Sequence, residues 1–317
     1  MQGYDAALFD LDGVLYLGDE GIPEAAEGVR AARVSGMHVA FVTNNASRRP
    51  AEVARRLSAL GIPAKPTEVV TSAQAAVRVV ASRVPPGAVV LVLGTQALVD
   101  EVSESGLRPV RTVEQAGTDP VAAVVQGLSP DTCQRDLAEA TIALRGGALW
   151  VVGNTDTTLP SPRGPLPGNG VFVDALRAVT GLEPLVAGKP DPALHEESVR
   201  RVGAARPLVV GDRLDTDVLG AVRGGADSLL VLTGVVGRAE LLRAPKGSRP
   251  TYVSADLRGL SQAHPHVVVA DGVARCRAST ATYEAGTLRV SGADDDGLRA
   301  EAALAWACAD AGLPLEV

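Results

Sequence analysis

Apolar and polar positions alternate along this chain in short blocks of two kinds. Compact apolar runs at Ala6–Asp10, His38–Thr43, Ala88–Leu93, Val121–Val125 and Leu149–Val152 read as buried strands. Between them, apolar residues three and four apart predict helices over Pro23–Val34, Pro50–Leu60, Gln96–Ser103 and Gln134–Leu144. Pro23 falls near a first turn, where its missing N–H costs nothing, and Gly61 supplies a left-handed stop. After Gly181 the alternation resumes, with strands at Leu185–Ala187, Leu208–Val210 and Leu229–Leu232 and helices at Pro192–Val202, Thr216–Val222 and Arg238–Arg243. Such a pattern predicts a layered α/β protein with mostly parallel strands, those between 88 and 152 able to form a second sheet. Residues 261–317 differ: strands at Val267–Ala270, Ala274–Ala278 and Leu288–Val290 precede a helix over Gly297–Ala311, a small α+β piece.

A length of 317 residues is about twice the ~150-residue prior for one domain, so two large units are expected. With aromatic residues at 3%, the core must be built from Ala, Val and Leu, which suits parallel strands covered by Ala-rich helices. The formal net charge of −7 opposes a nucleic-acid or anionic-membrane partner, since both demand a basic face. No apolar run reaches the ~18 residues of a membrane span, and no basic head precedes an apolar stretch at the start. Cys133, Cys276 and Cys308 form no CxxC pair or metal spacing, which fits reduced thiols and a cytoplasmic protein.

Chemistry concentrates at strand ends. Phe9-Asp10-Leu11-Asp12-Gly13 closes an apolar strand with two carboxylates and a turn, placing both at the carboxyl edge where parallel sheets bind ligands. There one carboxylate can attack an electrophile and hold a metal, and the second can move a proton. Thr43-Asn44-Asn45 ends the second strand with a hydroxyl that can donate to an anion; a turn or helix cap is the competing role. Lys189, one of only three lysines, stands between Gly188 and Pro190 after another short strand. In Val210-Gly211-Asp212-Arg213-Leu214-Asp215-Thr216-Asp217, Asp212 repeats the position of Asp10, so two acidic strand ends can chelate one hard cation, Mg²⁺ being the natural choice. Asp215 reads as a helix cap.

In this order, FDLDG, VTNN, GKP and GDRLDTD resemble the haloacid dehalogenase superfamily, and within it the phosphatases similar to the NagD and 4-nitrophenylphosphatase group. Gly153-Asn154-Thr155-Asp156, Thr158-Leu159-Pro160, Pro167-Gly168-Asn169-Gly170 and Leu232-Thr233-Gly234 extend the likeness over about Asp5–Leu260. The resemblance implies a Rossmann-like core at 1–71 and 184–260, an α/β cap inserted at 72–183, and a C-terminal extension at 261–317. It implies Mg²⁺-dependent hydrolysis of a small phosphorylated metabolite. Asp10 is then the nucleophile that forms an aspartyl-phosphate, and Asp12 the acid and later the base. Mg²⁺ is held by Asp10, the carbonyl of Asp12 and Asp212; Thr43, Asn44 and Lys189 bind the phosphate; and Asp217 steadies Lys189 or the metal's surroundings. Asn154 and Asp156, in the Pro- and Gly-rich segment 153–170, either recognise substrate hydroxyls or an amine, or serve a turn.

The extension looks like that of longer relatives that act on glycerol 3-phosphate and carry part of an acetyltransferase-like fold, making glycerol 3-phosphate the expected substrate. Phosphoglycolate, pyridoxal phosphate, a sugar phosphate or a nucleotide is the alternative. Leu304 and Trp306 on its helix read as packing residues. The extension itself reads as a module for interaction or dimerisation, so a homo-oligomer is allowed for. A phosphotransfer receiver also uses Asp, Thr and Lys, but it has no place for an inserted cap.

Overall fold

The computed structural model describes residues 3–159 and 164–315. Its backbone contacts divide the chain into two compact units: Met1–Phe41 with Leu60–Ile62 and Val199–Val317, and Val42–Ala59 with Pro63–Ser198. These limits differ from the boundaries at 72 and 183 expected from the sequence.

In the first unit, parallel strands run in the order Tyr252–Ser254, Asp227–Val231, Pro207–Gly211, Ala6–Phe9, His38–Thr43, and the last of them leads into the second unit after Phe41. Ala6–Phe9 is central and wholly buried, which explains its uninterrupted apolar run. It pairs with both neighbours in step, Phe9 lying opposite Val210 on one side and Phe41 on the other. Phe9 and Phe41, two of only three phenylalanines, approach with ring centroids 6.3 Å apart. The first helix begins at Ala25, two residues later than expected, because Glu24 takes a left-handed conformation (φ 67°) that turns the chain into it.

The second unit has its own five-stranded parallel sheet, ordered Leu185–Val186, Leu149–Val152, Val121–Gln126, Val89–Leu93, Arg108–Val110. Leu185–Val186, expected to open the second core segment, belongs here, Leu185 pairing with Val151. Helices Ser72–Ala81, Gln96–Glu104, Gln134–Arg145 and Asn169–Thr180 accompany these strands. Val89, Leu91, Val124, Trp150, Val173 and Leu176 lie in one hydrophobic cluster. Thr158–Leu159 and Leu166–Pro167 form a short hairpin, and Pro160, part of a motif noted in the sequence, lies outside the described residues.

The C-terminal piece belongs to the first unit. Four antiparallel strands, Val268–Ala270, Val273–Cys276, Ser279–Glu284 and Thr287–Ser291, are followed by the helix Asp295–Asp310. Asp294 caps that helix by accepting the Gly297 N–H at 3.0 Å. Ala302 and Ala305 pack with Leu230, Leu241, Leu242 and Val253 of the core, while Ala300, Leu304 and Cys308 pack with Ala274, Cys276 and Ala281 of the hairpins. Trp306 donates its indole N–H to the Leu241 carbonyl at 2.9 Å. Leu304 and Trp306 are thus packing residues, as expected. No described helix is long and apolar enough to cross a membrane, and all three cysteines are free thiols.

Candidate active site

Strand register brings the first acidic residues together. Asp10 continues the ladder beyond Phe9, its N–H donating to the Val210 carbonyl at 2.8 Å, and Asp212 stands just past Gly211 on the adjoining strand. Both therefore emerge at the same carboxyl edge. Asp217 joins them from the π-helical turn Leu214–Val218, and a carboxylate oxygen from each of Asp10, Asp212 and Asp217 lies within 4.8 Å of the others. Asp212 and Asp217 are buried, at 0% and 1% exposure. Three carboxylates this close repel one another strongly in a buried setting, so the group calls for a cation between them.

The surroundings of Asp212 are built from backbone. Val235 donates its N–H to Asp212 Oδ2 at 2.7 Å, Val236 donates to its carbonyl at 3.2 Å, and Thr233 closes the same loop by donating its hydroxyl to the Gly13 carbonyl at 2.6 Å. A Cβ on either Gly13 or Gly234 would collide with Asp212 Oδ2, so these two loops close on the carboxylate only because both residues are glycine. Gly13 also has φ 87°. Hard oxygen donors in a cradle of this tightness fit a small hard cation such as Mg²⁺. Asp217 Oδ2 accepts the Arg213 N–H at 3.1 Å, which orients its carboxyl group.

Asp12 is not among the three clustered carboxylates: its side chain is exposed, and its backbone bridges to Tyr16 in a tight loop where Gly13 donates to the Tyr16 carbonyl at 2.8 Å. Asp215, read as a cap, is instead held by Arg213 in a two-pronged ion pair at 3.0 and 2.8 Å, and that guanidinium keeps its carboxyl below the usual carboxylate range.

The remaining sequence-selected residues gather within the second unit. Thr43 is buried, and its hydroxyl oxygen accepts the Asn45 N–H at 3.1 Å, which leaves the hydroxyl proton to be donated. Lys189 is buried at 5% exposure. Asn44 lies against it: Asn44 Oδ1 accepts the Lys189 N–H at 2.8 Å, and Nδ2 donates to the Lys189 carbonyl at 3.1 Å and to Asp156 Oδ2 at 3.4 Å. The amide read from the sequence as a phosphate ligand is therefore engaged with protein. Asn154 is also occupied in holding its own turn, donating to the Asn44 carbonyl at 2.7 Å and accepting the Asp156 N–H at 3.2 Å. Of the two roles open to Asn154 from the sequence, this arrangement matches the turn.

A family model described as haloacid dehalogenase-like hydrolase matches residues 7–108, and one described as HAD-hydrolase-like matches 186–260. A D-glycerol 3-phosphate phosphatase of Mycobacterium tuberculosis is 51% identical over 261 residues, covering 82% of this chain and 72% of that one. The chain belongs to the haloacid dehalogenase-like hydrolase family. Among solved structures, a glycerol phosphate phosphatase of M. tuberculosis in complex with magnesium superposes with a TM-score of 0.87 at 45% identity, covering 99% of this chain and 93% of that one. A 4-nitrophenylphosphatase of Thermotoga maritima follows with a TM-score of 0.74 at 30% identity, covering 82% of this chain and 97% of that one. As a haloacid dehalogenase-like hydrolase with phosphatase relatives, the protein is a phosphoric monoester hydrolase. Thr233, Gly234 and Val235 are the site residues whose role sequence reasoning missed. The Leu-Thr-Gly motif was visible, but what it contributes is backbone geometry.

Proposed function

We propose that this hydrolase removes phosphate from small phosphate monoesters with Mg²⁺ as cofactor, and that glycerol 3-phosphate is its preferred substrate. The observation carrying the reaction class is the Asp10, Asp212 and Asp217 group, with oxygens within 4.8 Å, at the edge where the FDLDG strand ends. The 51%-identical D-glycerol 3-phosphate phosphatase supports the substrate.

A phosphate monoester is anionic and repels an anionic nucleophile until its charge is neutralised. Asp10, the Asp12 carbonyl and Asp212 would hold Mg²⁺, which when bound would supply that neutralisation. Asp217, oriented by the Arg213 N–H, stands close enough to Asp10 and Asp212 to steady the cation's surroundings. Thr43 donates its hydroxyl proton to a phosphoryl oxygen, and Lys189 offers its ammonium to another. Asp10 attacks phosphorus in line, giving an aspartyl-phosphate as the alkoxide leaves. Asp12 gives the departing alkoxide its proton, then takes one from the water that cleaves the aspartyl-phosphate. Substrate selection falls to the insert at 72–183, with Asp156 in its Pro- and Gly-rich loop as the candidate for a polyol hydroxyl. The extension at 261–317 is read as a partial acetyltransferase-like module for interaction or dimerisation.

A panel of glycerol 3-phosphate, phosphoglycolate, pyridoxal phosphate, a sugar phosphate, a nucleotide and 4-nitrophenyl phosphate, assayed with and without Mg²⁺, tests this reading. The expected result is Mg²⁺-dependent turnover with the highest kcat/KM on glycerol 3-phosphate. Highest kcat/KM on another member replaces the substrate, and turnover unaffected by Mg²⁺ defeats the mechanism. Asp10→Asn is expected to fold normally and release no phosphate; substantial activity in that variant removes Asp10 as nucleophile.

A further inference from the structure

We propose that Asn44 is a positioning residue for Lys189: its side-chain amide clamps the Lys189 peptide and ties it to Asp156, so that one side chain sets both the lysine's aim and the turn at 154–156. The proposal rests on the reading of Lys189 as the phosphate-binding cation.

Both hydrogens of the amide are used in this clamp. Oδ1 receives the Lys189 N–H, one amide hydrogen goes to the Lys189 carbonyl, and the other goes to Asp156 Oδ2. No amide hydrogen remains for a phosphoryl oxygen. The partners also fix which way the amide faces. Reversed, it would set its NH₂ against the Lys189 N–H and its oxygen against both the Lys189 carbonyl and the Asp156 carboxylate.

Behind the clamp stands a relay of further amides. The Asn44 carbonyl accepts from Ser72 Oγ at 2.6 Å and from Asn154 Nδ2 at 2.7 Å. Asn169 Nδ2 donates to the Asn154 carbonyl at 2.6 Å, Gln126 Nε2 to Asn169 Oδ1 at 3.3 Å, and Trp150 Nε1 to Gln126 Oε1 at 3.1 Å. Gln126 and Asn169 are nearly inaccessible, at 1% and 2% exposure, so the relay is anchored in the interior of this unit. Gly188, just before the lysine, has no room for a Cβ between the Gly153 carbonyl and Asn44 Oδ1, which seats the Lys189 peptide directly on the amide.

A double-mutant cycle separates positioning from direct phosphate contact. The kcat/KM for 4-nitrophenyl phosphate at saturating Mg²⁺ is measured for the parent, Asn44→Ala, Lys189→Ala and the double variant, with melting temperatures recorded for all four. If Asn44 acts through Lys189, Asn44→Ala alone costs on the order of 10²-fold, the scale of a misplaced catalytic group. Once Lys189 is already truncated, removing Asn44 then costs no more than about 3-fold, near the limit within which independent effects are resolved. Losses that multiply across the two sites overturn the proposal, because an independent phosphate ligand or a general loss of folded enzyme acts equally in both backgrounds. Parent-like activity in Asn44→Ala while Lys189→Ala is impaired overturns the clamp alone. Parent-like activity in Lys189→Ala overturns the assignment of Lys189 on which the clamp depends.

Discussion

At the scale of single residues, the Asp212 carboxylate is fixed largely by backbone. Its Oδ2 is held by the Val235 N–H, and the close approach is open only to glycine at 13 and 234. Gly234→Ala must push Asp212 or its loop aside. The expected outcome is a 10- to 100-fold rise in the Mg²⁺ concentration giving half-maximal activity, roughly the effect of losing a group that supports a metal ligand. A Mg²⁺ titration of that variant checks it, and an unchanged midpoint would show the cradle to be yielding. Asp10, Asp12 and Asp212 were legible in the sequence because each follows an apolar strand and announces itself by side-chain type. Asp217, an aspartate opening a helix, reads first as a cap, and the structure groups it with Asp10 and Asp212. Gly234 contributes empty space and Val235 a backbone N–H, which leave almost no trace in residue identity, whereas Thr233 contributes a side-chain hydroxyl to the Gly13 carbonyl.

Cysteine chemistry belongs to the same scale. Cys133 is exposed while Cys276 and Cys308 are buried. Titration with a thiol reagent should find one fast-reacting group in the native protein and three after denaturation. Burial first, and the Asp296 carboxylate second, push the Cys276 thiol up to about 11 from its ordinary 9.0. Its folded-state pKa is raised, so the stabilising contribution is intact below pH 9 and is lost as pH climbs towards 11, because the unfolded chain ionises first. Denaturant melts between pH 8 and pH 11 should show stability declining in that window, with the decline reduced in Cys276→Ala.

At the scale of elements, most strands and helices were visible within one or two residues because their apolar spacing is regular. His38–Thr43, Leu149–Val152 and Pro192–Val202 coincide with expectation. Ser72–Ala81 is not among the expected helices, although Thr71 and Gln74 form a reciprocal cap, Gln74 N–H to Thr71 Oγ1 at 3.3 Å and Thr71 N–H to Gln74 Oε1 at 3.2 Å. Asn169–Thr180 was hidden by the Pro- and Gly-rich run before it. Ser279–Glu284 is hard to read because its polar alternation carries little hydrophobic signal, yet Arg277 before it and Ala285-Gly286 after it, all with positive φ, mark the tight turns of the hairpins it joins. The terminal helix holds two charged residues inside: Arg299 ion-pairs with Asp296 at 2.7 Å and donates to the Val253 carbonyl at 3.1 Å, and Glu301, 2% exposed, is gripped by Arg238. Arg238→Ala strands the Glu301 carboxylate and is expected to cost roughly 1–3 kcal/mol, read from denaturant melts. A double change to Ala at both positions should recover part of that loss.

For the whole molecule, the two large parallel sheets that the pattern predicts are present among the described residues, but their division along the chain is less legible. Leu185–Val186 reads as a core strand in isolation, and only its pairing with Leu149–Val152 assigns it to the second sheet. A chelator should abolish turnover, and added Mg²⁺ should restore it, as a phosphoric monoester hydrolase of this family requires. The antiparallel hairpins and the terminal helix show no separation from the core. A chain ending at residue 260 would bare Leu230, Leu241, Leu242 and Val253, and is expected to aggregate or melt well below the parent.

The helix Asp295–Asp310 presents one face to the core and the opposite face to the hairpins. Neither layer can therefore open to solvent without disturbing the other. A divalent ion bound at the aspartates raises the free energy of global opening, and the backbone amides of Val273–Ser291, though they touch no ligand, should then trade their hydrogens for deuterium more slowly.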